Sequence, residues 1–132
     1  MTGAEHPAAK RRPVYLNLPR IRLPLPGFVS FLHRFSGAVM FVFGIPLLLA
    51  CVGASLASPE SYAEVRSAFA HPLAKLVAIG AVWAYAHHFF AGIRHLLLDL
   101  HVGIELQAAR RSSAAAGVLA IALALIVGVR LW

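Results

Sequence analysis

Three long runs of apolar residues constrain this chain most, because each is long enough to cross a lipid bilayer. They cover about residues 28–57, 72–100 and 114–132. A helix needs about 20 apolar residues to span the hydrocarbon core, and inside lipid only helices and closed barrels satisfy every backbone polar group. We therefore expect an all-α membrane protein with three transmembrane helices.

The composition favours a single membrane unit preceded by a polar arm. Of the 132 residues, 60% are hydrophobic and only 13% are charged, whereas a soluble domain carries about 25% charged residues. Residues 1–27 are rich in proline and arginine and cannot form one long helix. We expect residues 1–27 to form a cytoplasmic arm and residues 28–132 to form the transmembrane domain.

The basic residues predict how the helices are oriented. The arm contains Lys10, Arg11, Arg12, Arg20 and Arg22. The loop after the second span contains Arg110 and Arg111. Because lysine and arginine accumulate on the cytoplasmic side, we expect the arm and this loop in the cytoplasm, and the C-terminus outside, in a bacterial inner membrane. The net charge of +7 is explained by this topology, and nucleic-acid binding is excluded.

The entry of the first span presents polar groups on one helical face. Ser30, His33, Arg34 and Gly37 are related by three- and four-residue steps. A hydroxyl, an imidazole and a guanidinium therefore lie within the first two turns. Gly37 allows another helix or a flat ligand to approach closely. The simpler alternative is that the two basic side chains only extend to the lipid headgroups.

The second span carries an unusual set of ionisable side chains in an apolar helix: His87, His88, Arg94, His95 and Asp99. Such groups are costly in a bilayer and usually mark a cofactor, ion or substrate path. His88, Gly92 and His95 share one face. From the cytoplasmic end of the span His88 lies about 18 Å deep, near mid-membrane, and His95 lies about 10 Å shallower.

This layout favours a b-type haem, with a deep histidine on the iron and shallow cations near the propionates. His88 is the candidate ligand because Gly92 leaves space on its face, although His87 competes with it. One helix cannot supply both axial ligands, and His33 is expected to lie too shallow to oppose His88. The second ligand must then come from another membrane chain, in a heteromeric bundle. A non-redox bundle whose histidines relay protons is the alternative.

Two spaced motifs resemble the cytochrome b556 membrane-anchor subunits of succinate dehydrogenase (complex II). The first motif is Arg12-Pro13-Val14 with Leu18, followed by Ser30-x-x-His33-Arg34-x-Ser36. The second is His88-x-x-x-Gly92-Ile93-Arg94-His95 with Asp99. The Ser58-Pro59-Glu60 loop also resembles this family. The resemblance covers residues 12–132, with Leu98 standing where the family often has an aromatic residue or methionine.

The resemblance implies a role for each matching residue. His88 would be the axial ligand of haem b, with the second ligand supplied by the partner membrane subunit. Ser30 and Arg34 would bind ubiquinone, and His33, Arg34 and His95 would lie near the propionates, where the layout also places Arg94. The chain would anchor iron–sulfur and flavoprotein subunits and pass electrons from succinate to ubiquinone. The anchor of a fumarate reductase, which runs the same electrons backwards, is a close alternative.

Overall fold

The structure, a computed structural model, describes residues 20–132 and contains four helices in that range. They are α1 (Leu25–Ala57), α2 (Pro59–Ala70), α3 (Pro72–Asp99) and α4 (Leu106–Leu131). Helices α1, α3 and α4 are long and apolar enough to cross a membrane, which confirms the predicted all-α protein with three transmembrane helices. Lys10, Arg11, Arg12 and the Arg12-Pro13-Val14 and Leu18 positions lie outside the described residues.

Helix α1 begins three residues before the predicted span and contains a π-helical turn. Pro24 precedes the first turn with extended backbone, and proline in that first turn loses no hydrogen bond. The π-turn covers Met40–Gly44, where the backbone N–H of Ile45 bonds to the Met40 carbonyl. Pro46 explains this local widening, because its ring lacks an N–H and crowds the preceding turn.

The short helix α2 occupies the loop between the first two spans. Ser58 starts it with a capping box, because the Ser58 hydroxyl accepts from the Ser61 N–H and the Ser61 hydroxyl accepts from the Ser58 N–H, both at 3.1 Å. The backbone N–H of Glu60 and then the Ser58 hydroxyl lower the pKa of the Glu60 carboxyl. In the sequence, this helix is indicated by its Ser58 cap and by Pro59 at its first position. Its 12 residues are too few to span a membrane.

Helix α3 is the centre of the bundle and packs against both α1 and α4. The face of α4 toward the bundle consists of small buried residues: Ser113, Ala116, Ala120 and Ala124. Small side chains let two helix backbones approach closely, which is how transmembrane helices gain packing energy. Helix α4 starts at Leu106, before the predicted span, because Arg110 and Arg111 are good helix formers and extend it beyond the apolar stretch.

The turn between α3 and α4 places a non-glycine residue in left-handed backbone. His101 has φ 61° and Gly103 has φ 73°. The N–H of Val102 bonds to the Leu97 carbonyl and the N–H of His101 bonds to the Leu98 carbonyl, both at 2.9 Å. This is the Schellman arrangement that ends many helices, in which glycine usually holds the position of His101.

We predict that His101→Gly stabilises the bundle by about 1 kcal/mol, because glycine adopts left-handed backbone without steric cost. Gly103→Ala is expected to destabilise it by a similar amount for the converse reason. Thermal unfolding of the two variants in one detergent measures both effects. A lower melting temperature for His101→Gly would mean that its side chain makes a compensating contact.

Candidate functional site

Three imidazoles meet where α1 crosses α3. The ring centroids of His33 and His88 lie 4.1 Å apart with the rings 13° from parallel. The centroid of His95 lies 5.0 Å from that of His33, at 52°. The structure therefore brings together three of the predicted site residues. We call His33, His88 and His95 the imidazole cluster.

A backbone hydrogen bond fixes the ring of His88. Its Nδ1 lies 3.0 Å from the His33 carbonyl oxygen and 3.5 Å from the Ser36 hydroxyl. A carbonyl oxygen only accepts, so Nδ1 carries the proton and donates it to this bond. In a neutral imidazole the other nitrogen, Nε2, then keeps the lone pair with which histidine binds metals.

Gly37 creates the space that the His88 ring fills. A Cβ atom at position 37 would lie 2.7 Å from Cε1 and 3.1 Å from Nδ1 of His88. Real Cβ atoms essentially never come as close as 2.7 Å, so only glycine at position 37 leaves room for the His88 ring where it lies. Gly92 on α3 faces His33, but a Cβ there would lie 3.4 Å from Nε2 of His33, which is an ordinary contact distance.

The structure brings His33 nearer to His88 than the expected shallow position of His33 indicates, because the two rings stack. Helix α1 starts at Leu25, so His33 lies about 12 Å from the N-terminal end of α1 at 1.5 Å per residue. On α3, which ends at Asp99, His95 and His88 lie about 6 and 16 Å from the corresponding end. His33 is thus intermediate in depth and contacts both rings.

The stacking of His33 on His88 also bears on ligation. Two axial imidazoles bind one iron through ring nitrogens that face each other across it, about 4 Å apart through the metal. Rings stacked face to face do not present their nitrogens in this way. No group of three or more His, Cys, Asp or Glu side chains in residues 20–132 has metal-binding geometry.

His87 occupies a different environment from its neighbour. Its side chain is only 2% exposed, its Nε2 lies 3.4 Å from the Val29 carbonyl oxygen, and its ring stacks on Trp83. His87 is therefore enclosed by packing between α1 and α3, whereas the ring of His88 is partly exposed. This difference favours His88 as the ligand-binding histidine.

Arg94 is directed away from the imidazole cluster. Its side chain is 6% exposed, and its Nε donates to the Ser112 hydroxyl on α4 at 3.2 Å. Arg94 lies one residue before His95 and so points about 100° away from it. The structure therefore does not group Arg94 with the three imidazoles. No sequence signal could have identified Ser112 as its partner, because the pairing depends on how α3 and α4 align.

Ser30 and Arg34 lie beside the packed face of α1. Val29 and Ser36 are buried against the bundle, and Ser30, Arg34 and Gly37 form the adjacent stripe at four- and three-residue steps. Ser30 is half-buried and Arg34 is exposed. The His88 ring contacts the Gly37 end of this stripe, so the hydroxyl, the guanidinium and the imidazole share one side of the α1–α3 pair.

We predict that Gly37→Ala lowers stability by about 1–3 kcal/mol, because its Cβ would force the His88 ring to move in a packed interface. Gly53→Ala is the matched control on the same helix, since a Cβ there meets nothing within 4 Å. Thermal unfolding in detergent distinguishes them. Equal melting temperatures for the two variants would contradict the close packing of His88 on α1.

Comparison with known proteins agrees with this arrangement. The family model described as "Succinate dehydrogenase/Fumarate reductase transmembrane subunit" matches residues 8–127. A succinate dehydrogenase cytochrome b556 subunit from Paracoccus denitrificans is 34% identical over 104 residues, which is 79% of either chain. The same subunit from Coxiella burnetii is 33% identical over 127 residues, covering 92% of this chain and 98% of the relative. The chain therefore belongs to the succinate dehydrogenase/fumarate reductase transmembrane subunit family.

Proposed function

We propose that this chain is the cytochrome b membrane anchor of a succinate:ubiquinone oxidoreductase. It would hold haem b together with a second membrane subunit and form part of a ubiquinone site. The succinate direction is proposed because both relatives are named as succinate dehydrogenase subunits. The complex would contain four subunits: this chain, the second membrane subunit, a flavoprotein that oxidises succinate, and an iron–sulfur subunit that carries the electrons to the membrane.

The observation that carries the haem proposal is the hydrogen bond from His88 Nδ1 to the His33 carbonyl. It leaves Nε2 of a partly exposed imidazole as the free nitrogen. The donor type therefore fits the iron of a b-type haem, which His88 would hold together with a histidine of the partner membrane subunit. His33, His95 and Arg34 would bind the propionates as hydrogen-bond donors or cations. Arg94 is left out of this set because its side chain bonds to α4.

We predict that His88→Ala removes most of the haem, whereas His87→Ala retains it. The reason is that His87 Nε2 already faces the Val29 carbonyl in a buried environment, so its loss costs packing rather than a ligand. The ratio of haem to protein in the purified complex checks this, with immunoblotting of membranes as the control for insertion. Loss of haem in His87→Ala alone would reverse the assignment.

The ubiquinone proposal depends on the Ser30 and Arg34 stripe. Reduction of a quinone takes two electrons and two protons, which are the numbers that oxidation of succinate to fumarate releases. Negative charge builds on the quinone oxygen before it is protonated, and a hydroxyl donor with a guanidinium stabilises that charge. Haem b, when bound, would supply a one-electron carrier.

We predict that Ser30→Ala and Arg34→Ala lower succinate:quinone reductase activity by about 10-fold or more, the cost of losing one oriented or charged donor. Succinate oxidation with an artificial dye, which takes electrons before the quinone, is expected to change little. Assays of both activities on one preparation separate the two effects. An equal loss of both would place these residues in assembly of the complex.

The proposed placement follows the basic residues. Residues 1–27 would be a cytoplasmic arm that contacts the iron–sulfur subunit, and residues 28–132 would be the transmembrane domain of a bacterial inner-membrane protein. Arg110 and Arg111 in the first turns of α4 would lie on the same side. The short helix α2 and the C-terminal Trp132 would then face the outside.

A further inference from the structure

A second polar site lies on the opposite side of α3 from the imidazole cluster. A cavity of about 390 Å³ opens between α3, α4 and their connecting turn. Phe90, Leu97, Leu119 and other apolar side chains form most of its wall, and Arg94 and Ser112 provide its polar groups. Its volume lies within the range of about 300–1,000 Å³ that is typical of ligand sites.

The cavity holds a buried positive charge without a matching negative one. Arg94 is 6% exposed, and its hydrogen bond to the neutral Ser112 hydroxyl uses Nε. None of the residues described as lining the cavity is acidic. A guanidinium has four further N–H donors in a planar fork that suits a phosphate or carboxylate. No enclosed side-chain nitrogen in residues 20–132 lacks a hydrogen-bond partner, so these further N–H donors reach accessible space, where they are available to an anion.

The depth of Arg94 corresponds to the headgroup boundary of the membrane. Helix α3 has 28 residues and is about 42 Å long, so a hydrocarbon core of about 30 Å leaves about 6 Å of helix at each end. Arg94 lies five residues before the end of α3, or about 7.5 Å from it. Its guanidinium is therefore close to the level at which lipid phosphates meet the acyl chains.

The apolar part of the cavity extends from that level toward the membrane centre. Leu119 lies seven residues beyond Ser112 on α4, about 10 Å deeper, and Phe90 lies one turn deeper than Arg94 on α3. Arg110 and Arg111 line a neighbouring depression at the start of α4, and so add positive charge close by. The cavity thus has a polar end and an apolar slot, which suit an amphiphilic ligand with a charged headgroup and an apolar chain.

We propose that this cavity binds an anionic membrane phospholipid. Its phosphodiester would accept hydrogen bonds from Arg94, and one acyl chain would lie along Phe90 and Leu119. Basic pockets between transmembrane helices on the cytoplasmic side commonly hold such headgroups. The lipid would contact both α3 and α4, and its phosphodiester would neutralise the charge of Arg94.

The experiment reconstitutes the complex, purified by a tag on this chain, in vesicles of phosphatidylcholine alone or with phosphatidylglycerol as a minor component. Thermal unfolding as a function of phosphatidylglycerol content gives an apparent affinity. We expect phosphatidylglycerol to raise the melting temperature of the wild type, and Arg94→Gln to weaken that affinity by about tenfold or more, the effect of one charged hydrogen bond. Arg130→Gln, at the other end of α4, is the matched control and is expected to behave as wild type.

A second variant keeps the test decisive if Arg94→Gln does not fold. Ala115→Phe fills the cavity wall while leaving the charge in place, and is expected to lose the phosphatidylglycerol effect. The proposal is overturned if both cavity variants keep the wild-type lipid response, or if the wild type responds equally to both vesicle types. A stabilisation by inorganic phosphate equal to that by phosphatidylglycerol would also overturn it, since the site would then hold a free anion. None of these readouts depends on haem.

Discussion

The hydrogen bond between His88 Nδ1 and the His33 carbonyl is the interaction on which the site depends. It joins α3 to α1 through a backbone group, and it exists because Gly37 leaves room for an imidazole at that height. The bond determines which ring nitrogen is free and which way the ring faces. In a membrane, where helices associate by packing and hydrogen bonding rather than by exclusion of water, this contact both contributes to the association of α1 with α3 and orients the ring.

Helix α3 serves two different polar sites on its two sides. Toward α1 it presents His88 and His95, and toward α4 it presents Arg94. Each buried polar group faces a neighbouring helix where a donor, an acceptor or a cavity meets it, which is the usual arrangement for ionisable residues within a membrane. The small residues of α4 allow the close approach that brings Ser112 to Arg94.

The sequence was sufficient for features that depend on one helix at a time. The length of the apolar runs predicts three spans, and the helical repeat places His88, Gly92 and His95 on one face. Features that depend on how two helices align could not be predicted. The depth of His33 relative to His88 is one of them, because α1 starts at Leu25 and its packing on α3 brings the two rings together.

Likewise, the pairing of Arg94 with Ser112 depends on how α4 packs against α3. The π-turn before Pro46 and the capped helix α2 had local signals in proline and serine, but such signals indicate a turn or a cap without giving its geometry.

The most direct test of the central claim is a reduced-minus-oxidised optical spectrum of the complex purified by a tag on this chain. We expect the sharp α and Soret bands of a low-spin b haem with two histidine ligands, formed when succinate alone is the reductant. A complex that contains the flavoprotein and iron–sulfur subunits and oxidises succinate, yet shows no haem bands, would contradict it.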